Sequence, residues 1–210
     1  MKKICVFGAD GRTGIEVVSL LVSRGYEVTA FVYNQSSKKD MPEGVNIISG
    51  DVMDYEPVES AITTDTRAVI SVLGHIKNSD PLIQTKGMEN IVKAMKKNGI
   101  TRIISLTGTG VREEGDTPSI FDRIANYIIR KIDRERIIDG IKHSKVLKES
   151  SLDWTILRVL KLSQSEKKVD SYNLSSHGPA EIYTSRKKVA YIMVDLIDDD
   201  VWKKKSPISI

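Results

Sequence analysis

The stretch Ile4-Cys5-Val6-Phe7-Gly8-Ala9-Asp10-Gly11-Arg12-Thr13-Gly14 decides the fold of this chain. Its first four residues form a continuous apolar run, which is typical of a strand buried on both faces. Three glycines follow within seven residues, and four apolar residues then recur at helical spacing between positions 15 and 22. This order of buried strand, glycine-rich turn and helix predicts the first unit of a sheet covered by helices.

Apolar runs of strand length and segments of helical period alternate along the rest of the chain. Further strands are predicted at Glu27–Tyr33, Val45–Ser49, Ala68–Leu73, Thr101–Leu106, Trp154–Arg158 and Pro207–Ile210. Strands that alternate with helices are joined by crossover connections, which produce parallel pairing with helices on both faces. The sequence therefore predicts a single α/β domain over residues 1–210, with a doubly wound, mostly parallel sheet of six to seven strands.

The composition excludes several classes of protein. A single cysteine among 210 residues excludes an intramolecular disulfide, and no apolar run reaches the roughly 18 residues of a membrane-spanning helix. The net charge of +4 is scattered, so we expect neither a nucleic-acid nor a membrane partner. Arg186-Lys187-Lys188 begins the last predicted helix, where positive charge opposes the dipole; a bound anion could explain this run, but a solvated cluster is the simpler interpretation. The three histidines are far apart, and no metal site is expected. We expect a cytoplasmic monomer or homodimer.

The glycine-rich turn carries the first functional prediction. A G-x-x-G-x-x-G sequence between a strand and a helix lets the backbone approach a pyrophosphate, while the N-terminus of the helix offers free N–H groups to that anion. Gly14 would also allow the helix to pack closely against the strand. An ordinary glycine-rich turn is the alternative. The predicted contacts with a dinucleotide in this segment are Gly8, Gly11, Arg12, Thr13 and Gly14.

Two further positions concern the adenosine half of such a cofactor. An NAD site places an acidic residue about 20 residues beyond the glycines, but no carboxylate follows the second predicted strand before Asp40. The turn Tyr33–Lys39 would set the choice of cofactor, and Ser36, Ser37, Lys38 and Arg12 could contact a 2′-phosphate. We therefore favour NADP over NAD, although a solvated turn would show the same lysines. Asp51 and Val52 could contact adenine, but Asp51 could equally serve only to begin the next helix.

On these residues the chain resembles the atypical short-chain dehydrogenase/reductase superfamily, in the branch of NmrA-like proteins and biliverdin-IXβ/flavin reductases. The resemblance runs through Gly8–Gly14, Gly50–Val52, Val69–Gly74, Gly87–Met95, Ile103–Gly108 and His143–Arg158. It implies a Rossmann domain that binds NAD(P). It also implies cofactor contacts for these residues: Leu73, Gly74 and His75 along the ribose and pyrophosphate, Thr107 and Gly108 near the nicotinamide, and Arg158 at the end of the sixth strand.

The chain departs from the superfamily at the catalytic dyad. Dehydrogenases of this superfamily typically use Tyr-x-x-x-Lys, and the two aligned positions hold Arg136 and Gly140. Tyr127 and Lys131 match the spacing but lie nine residues too early. The remaining catalytic candidates are Thr107, by its position, and His143, as a proton source on the helix before the sixth strand. Each could instead be an ordinary structural residue.

Two functions remain compatible with a missing dyad. The first is hydride transfer from NADPH to a small acceptor that needs little proton donation, such as a flavin, a quinone or a tetrapyrrole. The second is a non-catalytic, NmrA-like dinucleotide sensor or regulator. In either case the substrate-side region would be formed by the irregular segments 109–125 and 159–184, because the sheet occupies most of the remaining chain.

Overall fold

A computed structural model describes residues 2–33, 41–76, 78–165 and 168–210. The strands are β1 (Lys3–Phe7), β2 (Glu27–Val32), β3 (Asn46–Ser49), β4 (Thr66–Ser71), β5 (Arg102–Gly108), β6 (Asp153–Val159), β7 (Leu162–Ser163), β8 (Leu174–Ser175), β9 (Thr184–Ser185) and β10 (Ile208–Ser209). The helices are α1 (Arg12–Ser23), α2 (Tyr55–Ala61), α3 (Ile83–Lys97), α4 (Ile120–Ile132), α5 (Arg134–Lys148) and α6 (Arg186–Asp195).

The main sheet has the strand order β3-β2-β1-β4-β5-β6-β10-β8. All of its pairs are parallel except β10 with β8, which is antiparallel. The sheet therefore has eight strands. The predicted number of six to seven is wrong because it omits the short edge strand β8. That strand has only two residues and lies in a polar segment, so no apolar run reveals it. The strands β7 and β9 form a separate parallel pair.

Alternate side chains of the central strand enter two different cores, which explains its continuous apolar run. Ile4 and Val6 pack with α1 and α6 on one face of the sheet. Cys5 and Phe7 pack with α2, α3 and α5 on the other face. The predicted doubly wound arrangement is thus confirmed. Burial raises the pKa of the Cys5 thiol, so this side chain stays protonated and unreactive within the sheet.

The segment between β5 and β6 forms two helices, α4 and α5. The carboxylate of Asp133 accepts a hydrogen bond from the Arg136 N–H at 3.2 Å and so caps α5, as its position before the helix predicts. Helix α4 turns its polar side inward, with Asp122 and Asn126 buried. Its outward apolar side chains are Ile120, Phe121, Ile124, Tyr127, Ile128 and Ile132.

Across the described ranges, no helix combines the length and the apolar character needed to cross a bilayer.

Candidate functional site

A cleft of about 620 Å³ lies at the carboxyl edge of the main sheet. The strand order reverses direction between β1 and β4, and open α/β sheets bind ligands outside the carboxyl ends of the strands at such a point. Its walls include the segments that follow the six strands β1 to β6. The lining residues from these segments include Gly8, Asp10–Thr13, Gly50–Val52, Val72–Ile76, Leu106–Val111 and Val159–Leu162.

The glycine-rich turn brings its backbone to one end of this cleft. Gly8 has a φ of +76°, a conformation that L side chains rarely adopt. A Cβ at Gly14 would lie 2.2 Å from the carbonyl oxygen of Gly8 and 2.6 Å from that of Ala9. Only glycine therefore fits where α1 meets the turn, which is the role predicted for Gly14.

The N-terminus of α1 is free to bind an anion. Its N-cap residue, Gly11, makes no side-chain capping bond, and the first turn contains no acidic residue. Ile15 donates the first hydrogen bond of the helix, to the Gly11 carbonyl at 2.9 Å. The N–H groups of the three preceding residues therefore have no acceptor within the helix, and they carry the positive end of its dipole.

The described residues predicted to contact the adenosine lie along one part of the cleft, which we call the adenosine end. Tyr33, Asp51 and Val52 all line the cleft, whereas Lys38 lies outside the described residues. The Asp51 carboxylate accepts a hydrogen bond from the Met53 N–H at 2.9 Å, so the turn before α2 already engages one of its oxygens. Sequence reasoning missed Asn90, whose amide donates to the carbonyls of Val52 and Met53 at 3.0 and 2.9 Å.

Asp10 is a second residue that the sequence did not single out. Its carboxylate accepts a hydrogen bond from the Tyr33 N–H at 3.1 Å and so joins the glycine-rich turn to the end of β2. This bond holds together two of the backbone segments that line the adenosine end. Its position one residue before Gly11 gave no signal, because the acceptor and donor are distant in sequence and meet only in the folded sheet.

Two arginine side chains lie close to each other near the glycine-rich turn. Arg12 and Arg186 both line the cleft, at the first positions of α1 and α6. Arg186 is only 9% exposed, so its interpretation as part of a solvated cluster is wrong. Burial, and then the positive charge of Arg12, lower the pKa of Arg186. Lys188 from the same run instead pairs with Glu181 at 2.9 Å.

The middle of the cleft is formed by the loop after β4, as the resemblance implied for Leu73, Gly74 and His75. The His75 Nε2 lies 3.1 Å from the buried carboxylate of Asp139 on α5. The hydrogen bond to Asp139 raises the pKa of His75. Burial opposes the charge of Asp139, but bonds from His75, Thr85 and the Gln84 N–H lower its pKa overall.

The far end of the cleft contains Thr107 and Gly108 from the end of β5. The two positions aligned with the missing dyad, Arg136 and Gly140, also line the cleft. A Cβ at Gly140 would lie 3.1 Å from the Thr107 hydroxyl oxygen and 3.2 Å from a methyl carbon of Val111. A side chain at position 140 would therefore require Thr107 and Val111 to shift by a few tenths of an ångström.

Three of the catalytic candidates lie outside the cleft. His143 is buried beneath the sheet edge, with its Nε2 at 2.7 Å from the Ser105 hydroxyl. Burial lowers the pKa of His143 to about 4, so the ring is neutral at pH 7. Tyr127 is 64% exposed, with the Lys131 ammonium 5.7 Å from its ring centroid. That pair lines a separate surface pocket on α4 and α5.

Arg158, expected at the cofactor, is instead fully buried. Its guanidinium pairs with Asp116 at 2.5 Å and donates to the carbonyls of Ser206, Ser176 and Val111 at 2.8, 2.9 and 3.3 Å. These acceptors belong to three different loops, so Arg158 joins the loops beside the cleft. The sequence shows an arginine at a strand end but cannot show which acceptors the folded chain brings to it.

Comparison with known proteins agrees with this geometry. The sequence model of the NAD(P)H-binding family matches residues 8–200. An uncharacterized chloroplastic protein of Arabidopsis thaliana is 28% identical over 168 residues, which cover 75% of this chain and 58% of the relative. The chain thus spans somewhat over half the length of that curated relative.

Two solved structures share the fold at low sequence identity. A short-chain dehydrogenase/reductase from Veillonella parvula, in complex with NADP, has a TM-score of 0.81 at 22% identity, covering 99% of this chain and 94% of the other. The anaerobilin reductase ChuY from Escherichia coli O157:H7 has a TM-score of 0.78 at 18% identity, covering 99% and 97%. These structures have the fold that the resemblance implies, and the match of the sequence model shows that the chain belongs to the NAD(P)H-binding family.

Proposed function

We propose that this protein is an NADPH-dependent reductase that transfers a hydride to a small acceptor such as a flavin, a quinone or a tetrapyrrole. The observation that carries the proposal is that Arg136 and Gly140 line the cleft at the two positions aligned with the dyad. A cleft otherwise suited to a dinucleotide therefore has neither the tyrosine nor the lysine of a proton-donating dyad at these positions. An acceptor that takes its proton from water fits such a site.

The residues at the near end fit the cofactor. The free N–H groups at the start of α1 and the cationic side chains of Arg12 and Arg186 suit a pyrophosphate. Tyr33 follows β2 where an NAD site would have a carboxylate, which favours NADP. The residues that would hold the cofactor are Gly8, Gly11, Arg12, Thr13, Gly14, Tyr33, Lys38, Asp51, Val52, Leu73, Gly74, His75, Thr107 and Gly108.

When bound, the reduced nicotinamide supplies the hydride. The chain would orient the two reactants. The backbone at Thr107 and Gly108 would hold the nicotinamide ring, and the mostly apolar segments 109–111 and 159–162 would hold the acceptor beside it. The larger substrate-side region would comprise segments 109–125 and 159–184. His75, whose Nε2 is held by Asp139, would fix the loop along the ribose rather than transfer a proton.

Binding and turnover test this proposal separately. Calorimetric titration with NADPH and NADH should show binding of both, with NADPH the tighter ligand. NADPH oxidation should then occur with at least one of FMN, a quinone and biliverdin, and it should be followed at the absorbance of the reduced nicotinamide. Failure to bind either dinucleotide would refute the proposal. Tight binding without turnover of any acceptor class would favour the dinucleotide sensor instead.

A further inference from the structure

Arg186 is a buried cation without a partner. It is 9% exposed, lines the cleft, and makes no hydrogen bond or ion pair with any described residue. Burial of a charged group is costly unless the charge is paired and hydrogen-bonded. An unpaired, buried cation in a cleft therefore indicates a binding site for an anion.

The other buried arginines show what a structural arginine looks like in this protein. Arg102 is 6% exposed and donates to the carbonyl of Asp153 at 2.8 Å and to the hydroxyl of Thr155 at 2.9 Å, with further carbonyls beside it. Arg158 pairs with a carboxylate and donates to three carbonyls. Both satisfy their guanidinium groups within the chain. Arg186 is the exception among these three.

Several positive charges meet where Arg186 lies. Helices α1 and α6 pack against each other, and Arg12 and Arg186 occupy their first positions. A cation at the N-terminus of a helix is unfavourable, because it adds to the positive end of the dipole. Arg12 adds a second positive charge close enough to lower the pKa of Arg186, after the larger effect of burial. Asp10, the acid in the same turn, is engaged by the Tyr33 N–H.

We propose that Arg186 closes the site of the cofactor pyrophosphate from the side opposite the glycine-rich turn, and that Arg12 and Arg186 together bind this diphosphate. The assignment rests on the proposed binding of a dinucleotide. The alternative ligand within the cofactor, a 2′-phosphate, belongs beside the end of β2. Arg186 follows β9, which pairs with β7 just after β6, so it approaches from the other half of the sheet.

The principal variant is Arg186→Gln, with Arg186→Lys to restore the charge without the planar fork. Dissociation constants for NADPH, NADH and 2′,5′-ADP are measured by calorimetry. Loss of charged hydrogen bonds to the diphosphate should weaken both dinucleotides by the same factor, roughly 10- to 100-fold. The probe 2′,5′-ADP carries one phosphate on the 2′ oxygen and one on the 5′ oxygen of its ribose, but no diphosphate. Its affinity for the variant should therefore fall less. Arg186→Lys should recover part of the loss.

Thermal unfolding separates a binding role from a structural one. Because Arg186 has no partner among the described residues, Arg186→Gln should leave the Tm of the free protein unchanged or raise it. The increase in Tm caused by a fixed concentration of NADPH should shrink in the variant. As the control, Lys96→Gln removes an exposed cation in the last turn of α3, away from the cleft, and should change neither the affinities nor the ligand-induced Tm shift.

Three results would overturn the assignment. Wild-type affinity in Arg186→Gln would refute it, as would a lower Tm of the free protein with unchanged affinity, which is the signature of a structural arginine. A loss confined to NADPH and 2′,5′-ADP would assign Arg186 to the 2′-phosphate. In all three the wild type still binds dinucleotide and the proposed function stands. Absence of binding by the wild type would refute that function and this assignment with it.

Discussion

Acidification should destabilise this protein through His143. The ring is fully buried between α5 and β5 and contacts the Ser105 hydroxyl. Burial lowers the pKa of His143 to about 4, against an ordinary value of 6.5, although the charge of Asp139 and the carbonyl of Gly140 act in the opposite direction. The native state therefore holds a neutral imidazole at a pH where the unfolded chain holds a protonated one.

The sign and size of the effect follow from this difference. Between pH 6.5 and pH 4 the unfolded state binds more protons at this site, so stability falls as the pH falls. The contribution is fully present above pH 6.5 and is lost progressively toward pH 4. From pH 7 to pH 5 the loss amounts to about 2 kcal/mol, and it approaches about 3 kcal/mol below pH 4.

Urea unfolding of the wild type and His143→Gln at several pH values between 5 and 7 measures this contribution. The variant lacks the titrating group, so the free-energy difference between the two proteins should decrease by about 2 kcal/mol on going from pH 7 to pH 5. His75, with its raised pKa, titrates in the opposite sense but is present in both proteins and cancels. A difference that is independent of pH would refute the buried neutral state of His143.

Three other substitutions test the site. Gly14→Ala places a Cβ 2.2 Å from the Gly8 carbonyl oxygen, so it should cost about 1–3 kcal/mol in urea unfolding and weaken NADPH binding, whereas Gly74→Ala, whose Cβ meets no protein atom within 4 Å, should leave stability unchanged. Asp139→Asn places an amide NH₂ against backbone N–H donors and should cost about 3 kcal/mol by the same assay. The control is Asp133→Asn, which keeps an acceptor oxygen for the cap of α5. Tyr127→Phe should leave NADPH turnover unchanged, because the ring faces solvent, and loss of turnover would restore the displaced dyad as a catalytic candidate.

The sequence predicts the fold well because each central strand is long and apolar on both faces. The runs that begin at Ile4 and Thr101 need no tertiary information to be recognised, and the strands and helices alternate in the order that a doubly wound sheet requires. The edge strand β8 is different, since it consists of Leu174 and Ser175 alone. Its pairing with β10 depends on where the C-terminus lies, which local pattern does not reveal.

Sequence reasoning also predicts which backbone segments meet at the cleft, because the carboxyl ends of parallel strands share one edge. It fails on charged and polar side chains whose environment is set by distant segments. Arg158 lies near the end of β6 and Arg186 follows β9, yet Arg158 is satisfied by three loops and Arg186 has no partner in the described chain. His75 and Asp139 are 64 positions apart in the sequence, so no spacing rule could have joined them.

Helix α5 shows how one element can exclude one chemistry and support another. Its residues face the cleft where a dehydrogenase of this superfamily would present tyrosine and lysine, but here Gly140 sits against Thr107 and Arg136 occupies the other aligned position. The neighbouring Asp139 points instead to the loop after β4 and the start of α3, where it binds His75 and the N–H groups of Gln84 and Thr85. A side chain at position 140 would have to displace the Thr107 hydroxyl and the Val111 methyl by a few tenths of an ångström. With arginine and glycine at the two aligned positions, α5 presents no Tyr-x-x-x-Lys dyad to the cleft, in keeping with the proposed acceptor that needs no side-chain proton donor.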